Sequence, residues 1–333
     1  MSEFGKVATG WWRVPKGARN LITDVPGVQV GHATLLEGTA RTGVTAIVPA
    51  SGNLFQQKLE AGATIINGFG KSAGILQLQE LGQLETPILL SNTFAVPVCT
   101  TVLIKHAIEA NPEIGRQAPT VNALALECND GVLNDIQAFH VTEETARAAL
   151  DSCGSDFELG SIGAGTGMKS FGFAGGIGSA SRLFEFDRSQ FTLGALVLSN
   201  FGQRSEFRYF GKRLGDAGER DSEADKGSII IVLATDAPLD SRQLTRVSKR
   251  SAAALGRLGS YLGHGSGDIA VAFSTDRERD QKITETSLDA FFLATAEAVE
   301  EAVLRAMWHG KSRKGYDGAQ LPELRSTIKE MNL

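Results

Sequence analysis

The sequence predicts an α/β protein, and three observations carry that prediction. The first is a strand–helix–strand unit in the C-terminal third: an apolar run at 228–233, a capped helix opening at Asp240, and a second apolar run at 269–273. The second is a series of short β-like runs near the start, joined further on by helical stretches. The third is glycine, 38 of 333 residues, spread between apolar runs, which fits tight turns and close backbone approaches rather than disorder.

In chain order, 27–30, 43–48 and 64–67 read as strands. Residues 75–81 read as a helix ended by Gly82, a C-cap signal. The run 86–91 reads as a strand leading into an Asn92-Thr93 turn and a helix around 102–109. Thr142, followed by Glu143 and Glu144, opens a short helix through Leu150. Glycine turns fill 160–168 and 173–178. Gly163, Gly165 and Met168 partly fit a dinucleotide fingerprint, but its last glycine is missing and no clear strand leads in; turn glycines are the better reading.

The C-terminal third is the most legible. Asp240 is an N-cap with Gln243 at N3, a capping box, and Leu239 and Leu244 hold the staple positions. That helix shows Leu244, Val247, Ala254, Leu255 and Leu258 on one face and ends in the glycine-rich 259–267. Residues 287–308 form a long amphipathic helix with Leu288, Phe291, Phe292, Val299 and Val303 toward the core. The tail from Gly310 is polar and is expected on the surface. Trp11-Trp12 is expected to serve packing or an oligomer contact.

Composition excludes several classes. A net charge of −5 gives no reason to expect nucleic acid or an anionic membrane as partner. Cys99, Cys128 and Cys153 have neither disulfide nor zinc spacing, and His32, His106, His140, His264 and His309 show no metal-ligand pattern, so neither a metal nor another cofactor is expected. The first ten residues lack the apolar core of a signal peptide and no stretch approaches a membrane span, which makes a reducing cytoplasm the default.

The junction Gly227-Ser228 is where a polar, charged stretch, 204–227, meets an apolar strand. It reads either as an ordinary loop-to-strand boundary or as a serine presented for self-cleavage and later use as an N-terminal nucleophile. Strand–helix–strand is a crossover unit, so if its two strands pair directly they are parallel and begin at the same sheet edge. Ser228 opens the first; Ser266 and Asp268 open the second and could be its neighbours. Ser-Gly-Asp is also what an ordinary turn favours.

With these pieces in place the chain resembles the DmpA-like family of L-aminopeptidase/D-amidase/D-esterases and β-peptidyl aminopeptidases. The resemblance runs nearly end to end. It rests on Ile22-Thr23-Asp24-Val25-Pro26-Gly27-Val28, Val30-Gly31-His32, Asn67-Gly68 with Gly70, Pro87-Ile88 through Asn92-Thr93, and Asp130-Gly131 with Leu133-Asn134-Asp135. It continues through Gly163–Met168, Gly175-Gly176-Ile177-Gly178, Asn200-Phe201-Gly202 with Arg204, Gly227-Ser228-Ile229-Ile230, Ala234–Leu239 and Ser266-Gly267-Asp268.

The resemblance implies a four-layer αββα sandwich, of the kind shared with ornithine acetyltransferases. It implies a single domain, 1–333, self-cleaved between Gly227 and Ser228 into subunits 1–227 and 228–333. Tetramers of such processed units are the implied homo-oligomer. Ser228 would be the nucleophile and its freed α-amine the base, with Ser266 and Asp268 orienting the pair and Asn200 lending an oxyanion-hole amide. Glu127 would receive the free amine of a small peptide or amino-acid amide; Asn129 lies within the same substrate-binding segment, and Asn134 with Asp135 would hold the site's floor. Three positions depart from the family pattern. Lys71 replaces a usual Glu, Asn129 a tyrosine of the aminopeptidase prototype, and Asp268 the glutamate of the β-aminopeptidase branch. A related amidohydrolase on a nylon-type oligomer or pantetheine derivative, an acyltransferase (which normally uses threonine), and a non-catalytic nucleotide-binding protein are the alternatives.

Overall fold

The structure is a computed structural model that describes residues 10–186, 189–214, 227–278 and 283–331. Its strands are β1 (Gln29–Leu35), β2 (Thr42–Val48), β3 (Leu59–Gly68), β4 (Gln83–Leu84), β5 (Ile88–Ser91), β6 (Leu124–Glu127) and β7 (Lys169–Ser170). They continue with β8 (Phe173–Ala174), β9 (Gly176–Phe186), β10 (Ser189–Asn200), β11 (Arg208–Tyr209), β12 (Lys212–Arg213), β13 (Ser228–Thr235) and β14 (Gly267–Ser274). The helices are α1 (Ile75–Leu81), α2 (Val96–Ala110), α3 (Glu143–Asp151), α4 (Ser241–Ser248), α5 (Ser251–Arg257), α6 (Leu288–Trp308) and α7 (Leu324–Glu330).

Two sheets lie face to face. One has the order β1-β2-β5-β6, the other β4-β3-β14-β13-β10-β9. Strand β13 shows why the second is central: all eight of its residues are buried. Ile229, Ile231 and Leu233 point to the helices, while Ile230, Val232 and Ala234 point to the other sheet. Period-two alternation with both faces covered yields the continuous apolar run seen in the sequence. The inter-sheet core joins Ile47, Ile88, Leu90 and Leu126 to Leu196, Leu198, Ile230, Val232 and Val271. Outside the smaller sheet, α2 and α3 bury Val96, Cys99, Val102, Leu103, Ala146 and Ala149. Outside the larger one lie α4, α5 and α6. The result is an αββα sandwich.

Where the local signals are strong, sequence and structure agree. Gly82 ends α1 in the left-handed conformation. Asp240 accepts from Gln243 N and Gln243 from Asp240 N, the complete capping box. β13 and β14 pair in parallel, with Ser228 opposite Gly267.

Elsewhere the structure corrects the expectation. The helix from Asp240 is two helices: Arg250 N bonds Val247 O, three residues back, and Ser248 Oγ turns back to Thr245 O. This tightened turn separates α4 from α5. The tail does not simply lie on the surface, since α7 buries Leu324 and Ile328 in the larger core. Residues 93–110 are long and apolar enough to span a membrane by length and composition, contrary to the expectation; here they form α2 with its preceding 3₁₀ turn, packed on the smaller sheet. The stretch 204–227 is not one exposed loop: β11 and β12 form a hairpin whose Tyr209, with Phe207 beside it, is buried. Residues 215–226 of that stretch lie outside the described residues.

One buried ionic cluster ties the N-terminal segment to α6. Arg182 on β9 pairs with Glu301 at 2.7 Å and Glu297 at 3.4 Å, all three almost fully inaccessible. Glu297 also accepts the Arg13 and Val14 amides. Trp11 and Trp12 donate their indole N–H groups to Glu300 at 3.2 and 2.9 Å. The tryptophan pair therefore serves packing within the chain, Trp12 half-buried and Trp11 more exposed, each with a polar partner for its indole N–H.

Candidate active site

Ser228 is the first residue of β13 and stands between two neighbours. Asn200, the last residue of β10, is its antiparallel partner, and Gly267, the first of β14, its parallel partner. Its hydroxyl donates to the Gly227 carbonyl at 2.8 Å and accepts from Gly267 N at 3.3 Å. The same Gly267 amide reaches the Gly227 carbonyl at 3.2 Å. The Gly227–Ser228 peptide bond therefore has a hydroxyl and an amide donor gathered on its carbonyl oxygen.

Glycine at 227 is required sterically. A Cβ there would lie 2.4 Å from Asn200 O and 2.5 Å from Phe201 Cα, both backbone atoms. Gly267 is equally confined, its Cβ position being 2.6 Å from Phe69 O.

Ser266 and Asp268 flank Gly267, and Ser266 Oγ donates to Asp268 Oδ1 at 2.6 Å. Both are buried at the same sheet edge as Ser228. A short hydroxyl–carboxylate bond of this kind is charge-assisted.

Asn200 is held from two sides: Lys169 N donates to its Oδ1 at 2.8 Å, and its Nδ2 donates to Asn129 O at 2.9 Å. An amide nitrogen carries two protons, so one remains for a ligand. Asn129 contributes its backbone carbonyl here; its side chain accepts from Gly131 N at 2.8 Å, closing a local turn.

Glu127 ends β6 in the smaller sheet and is buried. Lys71 N donates to its Oε1 at 2.7 Å, and Thr93 Oγ1 donates to its Oε2. A Cβ built on Gly70 would be 3.6 Å from Glu127 Oε1 and 3.9 Å from Gly267 Cα, so Gly70 lies between the carboxylate and the start of β14. The carboxylate and the hydroxyl come from different sheets and converge on one end of the sandwich.

Asn134 does not reach this space. Its Oδ1 accepts from Arg41 N at 2.9 Å and its Nδ2 donates to Asp130 Oδ1 at 3.0 Å, so it supports the floor rather than contacting a ligand. Asp130 sits beneath, fully buried; burial pushes its carboxyl up to about 6, against hydrogen bonds from Thr42, Asn134 and Asn92. Sequence reasoning passed over Asp130 as one letter of a motif, although an aspartate between apolar runs is itself a signal.

Other nucleophiles are disfavoured. Burial pushes the thiols of Cys99 and Cys153 up to about 12 and Cys128 well above its usual range, with Glu127 adding to the last. His264 is exposed. Among the described residues no cluster of His, Cys, Asp and Glu could hold a metal ion. The glycines of 163–167 are packed on backbone: a Cβ at Gly165 would meet Ile177 N at 2.5 Å and one at Gly167 would meet Arg41 O at 2.2 Å. Close packing therefore accounts for Gly165 and Gly167, as the turn reading expects.

The model of Peptidase family S58 matches residues 20–321. Beta-peptidyl aminopeptidase BapA of Sphingosinicella microcystinivorans is 36% identical over 356 residues, covering 94% of this chain and 89% of its own. The PH0078 protein of Pyrococcus horikoshii OT3 superposes with a TM-score of 0.88 at 42% identity, covering 98% of both chains. The L-aminopeptidase D-Ala-esterase/amidase of Ochrobactrum anthropi, described as a prototype serine aminopeptidase with a variant of the Ntn hydrolase fold, superposes with a TM-score of 0.84 at 33% identity over 96% of both.

Proposed function

The chain belongs to peptidase family S58, and from that premise we propose that it cuts itself before Ser228 and then works as an aminopeptidase with Ser228 as its N-terminal nucleophile. The observation that carries this is the Ser228 hydroxyl beside the Gly227 carbonyl, with Gly267 N–H directed at both.

In the precursor, Ser228 Oγ adds to the Gly227 carbonyl carbon. The C–N bond breaks as the nitrogen takes up the hydroxyl proton, leaving an ester. Water then hydrolyses the ester, yielding the Gly227 carboxylate and a Ser228 with free hydroxyl and free α-amine. That amine has a reference pKa near 8, close enough to neutral to act as base.

In turnover, the α-amine takes the Ser228 proton as Oγ attacks the substrate carbonyl and returns it to the leaving amine or alcohol as that bond breaks; water, with the α-amine again as base, then hydrolyses the acyl-enzyme. Gly267 N–H and the remaining Asn200 N–H supply donors for the developing oxyanion. Asp268, through Ser266, steadies the ammonium that forms. Glu127 receives the substrate's own amine: each of its oxygens has accepted one bond and keeps a further lone pair. Substrates on this reading are short peptides, amides or esters with a free N-terminal amine on an L-, D- or β-residue. The exposed stacked pair Phe94 and Phe139, 5.5 Å between centroids, supports assembly of the processed units into a homo-oligomer.

The test is direct. Purified protein should show two fragments, the smaller beginning Ser228-Ile229-Ile230, and Ser228→Ala should remain full-length and inactive toward p-nitroanilides of L-, D- and β-amino acids. Hydrolysis retained by that variant would displace Ser228 as nucleophile.

A further inference from the structure

We propose that Lys71 forms a carboxylate-binding subsite on the rim of this site, so that preferred substrates carry a carboxylate on a residue bordering the scissile bond. The proposal rests on the Ser228 and Glu127 assignments above.

The segment 68–71 is stitched to both halves of the site. Phe69 N donates to Ser266 O at 3.3 Å, and Phe69 O packs where a Cβ on Gly267 would have to go. Two residues on, Lys71 N holds Glu127 Oε1 at 2.7 Å. The Lys71 side chain is thereby rooted at a fixed point between the carboxylate that takes the substrate's amine and the strand edge that carries the nucleophile.

The side chain itself is exposed, with its ammonium 4.0 Å from the centroid of the Phe69 ring, which is 55% exposed. Among the described residues no carboxylate lies within ion-pair distance of it. A cation resting on an exposed aromatic face is only weakly satisfied, whereas an incoming carboxylate makes a charge-assisted bond. Glu127 fixes the positive end of the substrate, so a cation elsewhere on the rim complements a negative group on the same molecule. A carboxylate can come from two sources: the free C-terminus of a dipeptide's leaving residue, or an acidic side chain on the acyl residue.

The experiment compares processed wild type with Lys71→Gln and Lys71→Glu, both of which keep the backbone N–H that holds Glu127. Two substrate pairs separate the sources: alanyl-glycine against alanyl-glycinamide, and glutamyl against alanyl p-nitroanilide. In one of the pairs, Lys71→Gln should lower the preference in kcat/KM for the carboxylate-bearing member about fivefold, through KM. Lys71→Glu should lower it further, and the wild-type preference should shrink with added salt. A shift in the first pair assigns the leaving-residue carboxylate; a shift in the second assigns the acidic side chain. Unchanged ratios in both pairs overturn the subsite and leave the aminopeptidase reading standing. A processed wild type that hydrolyses none of the four substrates overturns both.

Discussion

Gly267 and Ser228 open adjacent parallel strands, and the Gly267 amide lies 3.3 Å from Ser228 Oγ and 3.2 Å from the carbonyl just before it. One backbone donor thus addresses both the hydroxyl proposed to attack and the bond proposed to be cut. The arrangement follows from strand pairing, because a parallel neighbour presents its first N–H at the shared edge.

Gly227→Ala should therefore impair processing without touching any reactive side chain. The added Cβ meets backbone on both sides, Asn200 O and Phe201 Cα, so the peptide group must move. Band intensities over time on a denaturing gel should show maturation slowed at least about tenfold, a barrier change of about 1.4 kcal/mol. Wild-type maturation speed in this variant would mean that the carbonyl geometry is not what limits the cut.

Asn200→Ala removes a donor that is held in place by Lys169 N and Asn129 O. On a processed enzyme, kcat should fall about 10²–10³-fold with KM changed far less, the range found for loss of one oxyanion-hole donor. A loss confined to KM would reassign Asn200 to substrate binding.

Asp268→Asn keeps the size of the side chain but removes the charge that receives the Ser266 hydroxyl at 2.6 Å. Catalysis should drop at least about tenfold, with the acidic limb of the pH–rate profile displaced to lower pH, because the α-ammonium loses a stabilising carboxylate and gives up its proton more readily. An unmoved profile in a folded, processed variant would leave Asp268 with a packing role only.

Asp130 gives a pH effect on stability with a definite sign. Burial raises its carboxyl to about 6 from the usual 3.8, so the folded state favours the protonated form. Its contribution is fully present below the unfolded value and is lost as pH rises through about 6, a swing of roughly 3 kcal/mol. Denaturant midpoints measured from pH 4 to 7 should fall less steeply with pH in Asp130→Asn than in wild type. Parallel slopes would show that Asp130 ionises as freely folded as unfolded.

Arg182→Met tests the buried ionic cluster. It takes the paired guanidinium away from Glu297 and Glu301, leaving them neutral donors such as the Arg13 and Val14 amides and Asn20, and removing one partner of such a buried pair costs about 3–5 kcal/mol. Urea unfolding should register a loss of that order; a change under about 1 kcal/mol would mean that the carboxylates simply take up protons.

The legible parts of the chain were those governed by local rules. Asp240 and Gln243 cap a helix whatever surrounds them, Gly82 ends one because it tolerates a positive φ, and the crossover rule placed Ser228 beside the start of β14. What stayed hidden depends on distant partners. β9 and β10 went unread as strands because Gly176, Gly178 and Gly194 interrupt their apolar pattern; those glycines exist to admit Gly160 O, Ala302 O and Ile22 Cα. The burial of Arg182 requires Glu297 and Glu301 one turn apart on α6, a pairing across more than a hundred residues that no window reveals. At the site, strand pairing announced Ser228, Ser266 and Asp268, whereas Glu127 enters from the other sheet and Asn134 turns away toward Asp130.

Strands β13 and β14 occupy the middle of the larger sheet, with β3 on one side and β10 on the other, both from the chain's first two hundred residues. A break before β13 would therefore leave two polypeptides interdigitated like the fingers of clasped hands. Neither could withdraw without tearing hydrogen bonds from both of its flanks, so separation would demand global denaturation. Once apart, the pieces would have to find each other as a bimolecular encounter instead of a tethered one. Maturation would then be a ratchet: the molecule folds once as a single thread and has no equally easy way back.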